Sequence, residues 1–237
     1  MTWSIIARDT HTGEIAIAVA TKFFAVGGRV PFVRAGVGAL ATQALVNPLY
    51  GRRGLALLEA GVPATDVVRL LTSADAGRGT RQLHVMDHEG RFAAHTGSDC
   101  VDWAGHLAGK DCSCAGNMLA GPQVVAETVR SFEENFAVPM AQRLIAALKA
   151  GEAAGGDKRG KQSAALVIAS TEEYSDLDLR VDDHADPLAE LTRLEAVSRE
   201  RWVHFRKFLP SRRDPVGEID REVINAGVEA AIAAARG

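Results

Sequence analysis

The order of patterned segments predicts an α+β fold in which antiparallel sheets pack on one another and are covered by helices. Two observations carry this. Segments dense in β-favouring residues come in pairs joined by short turns, as in Thr2 to Arg8 and Glu14 to Thr21 around Asp9-Thr-His-Thr-Gly13. Helix-period segments also come in pairs between the strand groups, without the one-for-one alternation of strand and helix that a parallel doubly wound sheet requires.

Taken in order, the opening hairpin is followed by a Gly27-Gly28 break, a short strand Val30 to Arg34, and a second strand Ala39 to Ala44 after Gly36-Val-Gly38. Two helices come next. One has Leu55, Leu57 and Leu58 on one face after Tyr50; the other starts near Pro63 and carries Val67, Val68, Leu70 and Leu71. Arg81 to Asp87 and Arg91 to His95 flank the turn Asp87-His-Glu-Gly90 and read as another hairpin. A short strand at Cys112 to Ala115 precedes helices beginning at Pro122 and Pro139, with Val124, Val125, Val129 on one and Leu144, Ile145, Leu148 on the other. After the polar loop Gly155 to Lys161, strands are expected at Ser163 to Ser170 and Leu177 to Val181, then helices over Pro187 to Leu209 and Asp220 to Arg236.

With 237 residues, 47% hydrophobic and 24% charged, the chain can bury a sizeable core in one domain, which we place at residues 1–186 with a C-terminal helical extension at 187–237. The extension carries an amphipathic stripe including Leu188, Leu191, Leu194, Trp202, Phe205 and Leu209, suited to packing on the domain or on a sister subunit, so a homo-oligomer is expected. A formal charge of −3 and the lack of a basic stripe interleaved with aromatics speak against nucleic acid. The start lacks the features of a signal peptide and no long apolar span follows, so no membrane contact is expected. The three cysteines, Cys100, Cys112 and Cys114, are an odd count in a chain that needs no staples, which fits a reducing, cytoplasmic compartment.

Candidate chemistry concentrates at the start of the chain. A small second residue favours removal of the initiator methionine, which would leave Thr2 with a free amine beside its hydroxyl. The hydroxyl alone is a weak nucleophile, but an α-amine titrating at roughly 7.7–8.0 can take its proton, so one residue supplies nucleophile and base. An ordinary strand residue fits the same position, and with Met1 retained Thr2 has only an amide nitrogen and lacks its base. Lys22 ends the second strand, where its charge can depress the amine pKa or simply be solvated. The small residues of Gly36 to Gln43 let backbone N–H groups approach an oxyanion, or permit close packing. Asp157 and Ser163 bracket the Gly-rich loop, placed to orient an amine; Asn117 can present an amide to a ligand or belong to a turn.

Several long segments, MTWSIIARDTHTGEIAIAVATKFFAVGGRVP, GVGALATQALVNPLYGRRGLALLEAG, AHTG, GNMLAGPQVV and GEAAGGDKRGKQSAALVI, occur in an order that resembles the domain of unknown function 1028 family, from about Thr2 to Leu191. That family looks like the N-terminal-nucleophile hydrolases, whose fold is a four-layer αββα sandwich of two antiparallel sheets between helical layers. The resemblance implies Thr2 as nucleophile, Lys22 as supporting lysine, an oxyanion region near Thr42 and Gln43, and Asp157 with Ser163 as the amine-orienting pair. The expected activity is hydrolysis of a small-molecule amide or peptide-like substrate without metal or cofactor. The alternatives are a noncatalytic binding or assembly protein on the same fold, and a metal-dependent hydrolase.

For the metal alternative, His84, His88, His95 and His106 with Asp87 and Asp99 lie near the second hairpin without a familiar ligand spacing, and Cys112-Ser-Cys114 lacks a second pair. Asp182-Asp183-His184 offers a polar edge for a cation or ligand, or an exit loop.

Overall fold

The computed structural model describes residues 2–236. Met1, on which the free-amine expectation turns, lies outside the described residues. The chain divides into two compact units, Met1–Leu191 and Thr192–Gly237.

The first unit holds ten strands. Strands β1 (Thr2–Arg8), β2 (Ile15–Thr21), β8 (Cys112–Leu119), β7 (Trp103–Ala108), β9 (Ser163–Ala169) and β10 (Leu177–Val181) form a six-stranded sheet in the order β10-β9-β2-β1-β8-β7. Strands β3 (Pro31–Arg34), β4 (Gly38–Ala44), β5 (Arg81–Asp87) and β6 (Phe92–Thr96) form a second sheet in that order. Every pairing is antiparallel. The sheets face one another, and each is covered on its far side by a helix pair: α1 (Leu49–Glu59) and α2 (Ala64–Ser73) on the four-stranded sheet, α3 (Pro122–Glu134) and α4 (Met140–Ala153) on the six-stranded one. The expected α+β sandwich with two antiparallel sheets between helical layers is therefore the fold.

Strand alternation sorts the core into three layers. On β1, Ile6 joins Ile17, Val19, Ala39, Ala41 and Met86 between the sheets. On the other face of the same strand, Trp3 and Ile5 are buried, and Trp3 reaches Gly151 of α4. On the second sheet, Leu40, Leu83 and Val85 pack with Tyr50, Leu58, Val67 and Leu71 of the α1–α2 pair. Both β1 and β2 are central and buried almost throughout, which is why their sequences read as near-continuous apolar runs. Helix α1 comes close to its sheet because Gly51 faces the Phe32 ring, where an added Cβ would lie 2.3 Å from ring carbons.

Two elements differ from expectation. Strand β7 is absent from the sequence pattern, because WAGHLA is a half-exposed edge strand with a register shift between Trp103 and Gly105 and so shows no clean alternation. Strand β8 runs to Leu119, past the expected Ala115, because Gly116 interrupts the apolar pattern but not the ladder. The second unit departs as well. The helix expected over Pro187 to Leu209 is α5 (Pro187–Glu200), then α6 (Trp202–Phe205) and a 3₁₀ turn, Arg206–Phe208, before α7 (Arg221–Arg236). Arg201 leaves the helical region at φ −145° and its guanidinium donates to Asn225 Oδ1 on α7 at 2.9 Å. No glycine or proline marks that break, so local propensity does not foresee it.

Among the described residues, no helix is long and apolar enough to cross a membrane.

Gly38 opens β4 at φ +145°, and a Cβ there would lie 2.2 Å from the Met86 carbonyl oxygen on the partner strand. The variant Gly38→Ala is expected to lose about 2–3 kcal/mol of stability, from left-handed backbone strain plus a clash with rigid main chain; urea unfolding with a midpoint unchanged from wild type would contradict this.

Candidate functional site

At one end of the six-stranded sheet, the register sets four polar residues in a row across neighbouring strands. Asn117 on β8 is opposite Thr2 on β1, Thr2 is opposite Thr21 on β2, and Thr21 is opposite Ser163 on β9. Directly opposed residues share a face, here the one turned toward the second sheet. Thr2 is 7% exposed, and its Oγ1 lies 3.0 Å from Thr21 Oγ1.

The second sheet answers with Gln43 on β4 and Gln82 on β5. The Thr2 carbonyl accepts from Asn117 Nδ2 at 3.4 Å and Gln43 Nε2 at 3.5 Å. Both amides also donate to Gln82 Oε1, at 3.0 and 2.8 Å, and Gln43 Nε2 reaches Ala115 O at 3.0 Å. Gln82 Nε2 donates back to Gly116 O, Thr96 Oγ1 and Gly105 O at 2.8, 3.0 and 3.1 Å. The result is a polar seam between two sheets that otherwise meet through apolar side chains.

The seam continues inward. Ser4 donates its one proton to Gln43 Oε1 at 2.7 Å and also lies 2.8 Å from His84 Nε2. His84 Nε2 therefore carries the hydrogen and donates to Ser4, which leaves Nδ1 to accept from Ser113 Oγ at 3.1 Å. Both nitrogens of the neutral ring are thus satisfied. Burial, with the charge of His106 adding to it, pushes the His84 pKa down to about 3. His106 contacts Thr96 Oγ1 through Nδ1 at 3.0 Å, and its pKa is lowered first by burial and then by His95.

Thr2, Gln43 and Asn117 are thus brought together. Thr42 is not: it alternates onto the opposite face of β4, where its hydroxyl donates to Asn47 O at 3.3 Å and its N–H donates to Val30 O at 3.2 Å. Lys22 directs its Nζ to Lys161 O at 3.4 Å, and what meets Asp157 is its backbone N–H, 3.0 Å from Oδ2. Asp157 also accepts from Arg159 N at 2.8 Å and pairs with its guanidinium at 3.3 Å. Ser163, although in line with Thr21, donates to Phe23 O at 2.5 Å and accepts from Val26 N at 3.2 Å. These three residues hold the turn after β2, and no hydrogen bond joins any of them to Thr2 among the described residues.

Sequence reasoning missed Ser4, Thr21, Gln82, Thr96 and Ser113, and treated His84 only as a metal ligand. A signal was present: Gln82 and His84 alternate with Leu83 and Val85 in a strand flanked by apolar segments, and a polar pair at i, i+2 on a central strand must find partners across the sheet interface. The other candidates are dispersed. His88 sits in the β5–β6 turn beside Glu89, and His95 Nε2 contacts Arg78 O at 2.9 Å. Among the described residues no three His, Cys, Asp or Glu side chains converge as a metal site would require. The cysteines are free, and burial drives the Cys112 thiol up to about 12 and Cys114 higher still. Asp182 pairs with Arg180, Asp183 accepts from Gln162, and His184 Nδ1 accepts from Asp186 N.

Residues 2–191 match the family of unknown function DUF1028. The chain belongs to that family. A crystal structure of a DUF1028 protein from Silicibacter pomeroyi is 33% identical, with a TM-score of 0.86 over 93% of this chain and 96% of that one. The DUF1028 sandwich described above is therefore shared along nearly the whole length of both. The Anbu (ancestral beta-subunit) protein of Yersinia bercovieri aligns at 12% identity and a TM-score of 0.42 over 83% of this chain and 94% of that one, a likeness too low to carry an inference. No curated protein matches.

The seam gives stability a definite pH dependence. Folding lowers the His84 pKa from 6.5 to about 3, so on acidification the unfolded chain binds a proton that the folded chain refuses. Stability is complete above the unfolded value and falls as pH drops below it, by up to about 1.4 kcal/mol per pH unit for each such histidine. His106 acts in the same direction. Between about pH 6.5 and 5 most carboxylates remain ionised in both states, so histidines dominate that window. The urea midpoint is expected to fall across it, and to fall less steeply in His84→Gln; equal slopes would show that His84 does not carry the effect.

Proposed function

We propose that this protein is an amide-bond hydrolase acting on a small-molecule amide or peptide-like substrate, with the hydroxyl of Thr2 as nucleophile and the α-amine of the same residue, freed by removal of Met1, as base. The observation that carries the reading is the surroundings of Thr2 Oγ1. Among the described residues its one hydrogen-bond partner is the Thr21 hydroxyl, and no imidazole or carboxylate bonds to it to take its proton. A hydroxyl is no base, so a reactive Thr2 has to use its own amine, which is close enough by covalent geometry and titrates near neutrality, roughly 7.7–8.0 when unperturbed. The residue is also held firmly in place. Strand β1 is paired on both sides from Thr2 onward, and the two amides on the Thr2 carbonyl fix the main chain from either side of the sheet interface.

In this reading the Oγ1 proton moves to the amine as Oγ1 attacks the substrate carbonyl carbon. The amine then returns the proton to the departing nitrogen as the C–N bond breaks, and a water deprotonated by the same amine hydrolyses the ester left on Thr2. Gln43 and Asn117 position Thr2 through its carbonyl. Lys22, Asp157 and Ser163 act through the turn after Thr21 rather than on the reacting atoms, and the N–H of Thr42, engaged by Val30, is not assigned to the oxyanion.

A noncatalytic binding or assembly protein is the second reading, favoured by the closure of the seam: Thr2 is 7% exposed, both ends of the Gln43 amide are engaged within the fold, and Asn117 Nδ2 is engaged as well. A β-lactone, a strained ester that acylates activated hydroxyls, separates the two. Peptide mapping after incubation is expected to find the acyl adduct on Thr2, to find it also in Thr2→Ser, and to find none in a folded Thr2→Ala protein. Absence of labelling in the wild type, or equal labelling in Thr2→Ala, would leave the noncatalytic reading.

A further inference from the structure

The end of the sandwich that presents Thr2 also presents large apolar side chains to solvent. Phe23, Phe24 and Leu45 are 56%, 57% and 64% exposed. Phe23 follows by two residues the Thr21 whose hydroxyl meets Thr2 Oγ1, and Leu45 follows by two residues the Gln43 whose amide meets the Thr2 carbonyl. Two residues of chain span at most about 7 Å, so both leave their strands at the end of the sandwich that holds the proposed nucleophile, one from each sheet.

These side chains ride on backbone that is pinned, not loose. Ser163 bonds Phe23 O and Val26 N with its one hydroxyl, Asp157 holds Lys22 N, and Ala25 N donates to Asp182 O at 2.9 Å. On the other sheet, Leu45 N donates to Thr80 O at 3.1 Å and Leu45 O accepts from Arg81 Nη1 at 2.5 Å. Arg81 is itself fixed by Asp75, whose carboxyl is held well below the usual range by the Tyr50 hydroxyl first, then by Gly77 N and Arg81. A non-glycine residue stands at positive φ by each loop, Ala25 at 54° in the first and Ala44 at 68° at the end of β4, where the second begins. That conformation costs about 1 kcal/mol or more per residue. Apolar side chains displayed from two firmly bonded loops at one end of the sandwich suit a surface that an apolar group covers in use.

We infer that Phe23, Phe24 and Leu45 form an apolar rim that selects amide substrates carrying a large apolar substituent next to the scissile bond. This rests on Thr2 as the nucleophile of the proposed function. The rim also gives a purpose to the bonding of Asp157, Ser163 and Arg81, which anchor the two loops without touching the reacting atoms.

The test compares two β-lactones that differ only in ring substituent, methyl or n-octyl, by their second-order rates of acylating Thr2. Wild type is expected to favour the octyl compound about tenfold or more, given the apolar area the chain would cover. In Phe23→Ser/Phe24→Ser/Leu45→Ser, whose changes are all on exposed side chains, the methyl compound is expected to react at the wild-type rate while the octyl preference collapses toward onefold. Acylation of Thr2 without an octyl preference, or a preference that survives the triple substitution, overturns the rim while leaving the nucleophile standing. Failure of both compounds to label Thr2 removes the hydrolase reading and the rim with it. If the triple variant instead converts a native dimer to monomer with labelling unchanged, the patch is a self-association surface and the inference is overturned.

Discussion

The constraint on which the arrangement depends is that a polar group buried between two sheets must be hydrogen-bonded. Ser4, Gln43, Gln82 and His84 are all buried at 1% exposure or less, and each is satisfied by residues from other strands. Gln82 is the hub. Its oxygen takes the amides of Gln43 and Asn117, and its nitrogen reaches the main chain of β8 and the Gly105 carbonyl of β7. A hub of this kind ties the two sheets in one register only, because sliding one sheet over the other by a residue, about 3.3 Å, would part these hydrogen bonds together. The position of Thr2 is a consequence: its carbonyl is where the Gln43 and Asn117 amides converge from opposite sheets.

How much of this could be read in the sequence follows from range. Hairpins and helix pairs are local: α1 to α4 were legible because each buries one face, and β1, β2 and the strand Arg81–Asp87 because runs of β-favouring residues are bounded by turn residues. Strand β7 was not, because an edge strand half in water carries little pattern. The break at Arg201 depends on a partner in α7 that lies distant in the chain. The same distinction runs through the site. Thr2, Gln43 and Asn117 were named in the sequence, and the fold joins them. Lys22 and the backbone N–H near Thr42 were placed by their nearness along the chain, but Lys22 lies one residue past β2 and turns its Nζ to Lys161 O, and the Thr42 N–H is taken by Val30 O. Gln82 and Ser4 went unnamed because their importance lies in pairing with strands distant in the chain, 39 residues away between Ser4 and Gln43 and 35 between Gln82 and Asn117.

The site is consequently simple in its chemistry and elaborate in its support. No charged side chain bonds to the Thr2 hydroxyl among the described residues, and the neighbouring histidine, His84, is kept neutral by burial with both nitrogens in use. Such a centre has no external base, and its reactivity hangs on the state of one backbone nitrogen. As an amide, that nitrogen cannot accept a proton and the seam is a structural device. As an amine, it supplies what the surrounding side chains lack.

The most direct measurement is therefore the intact mass of the untagged protein purified from cells, with sequencing of its N-terminal peptide. The account predicts a chain that has lost Met1 and begins with Thr2. A mass that retains Met1 would put an amide nitrogen beside the hydroxyl and contradict it.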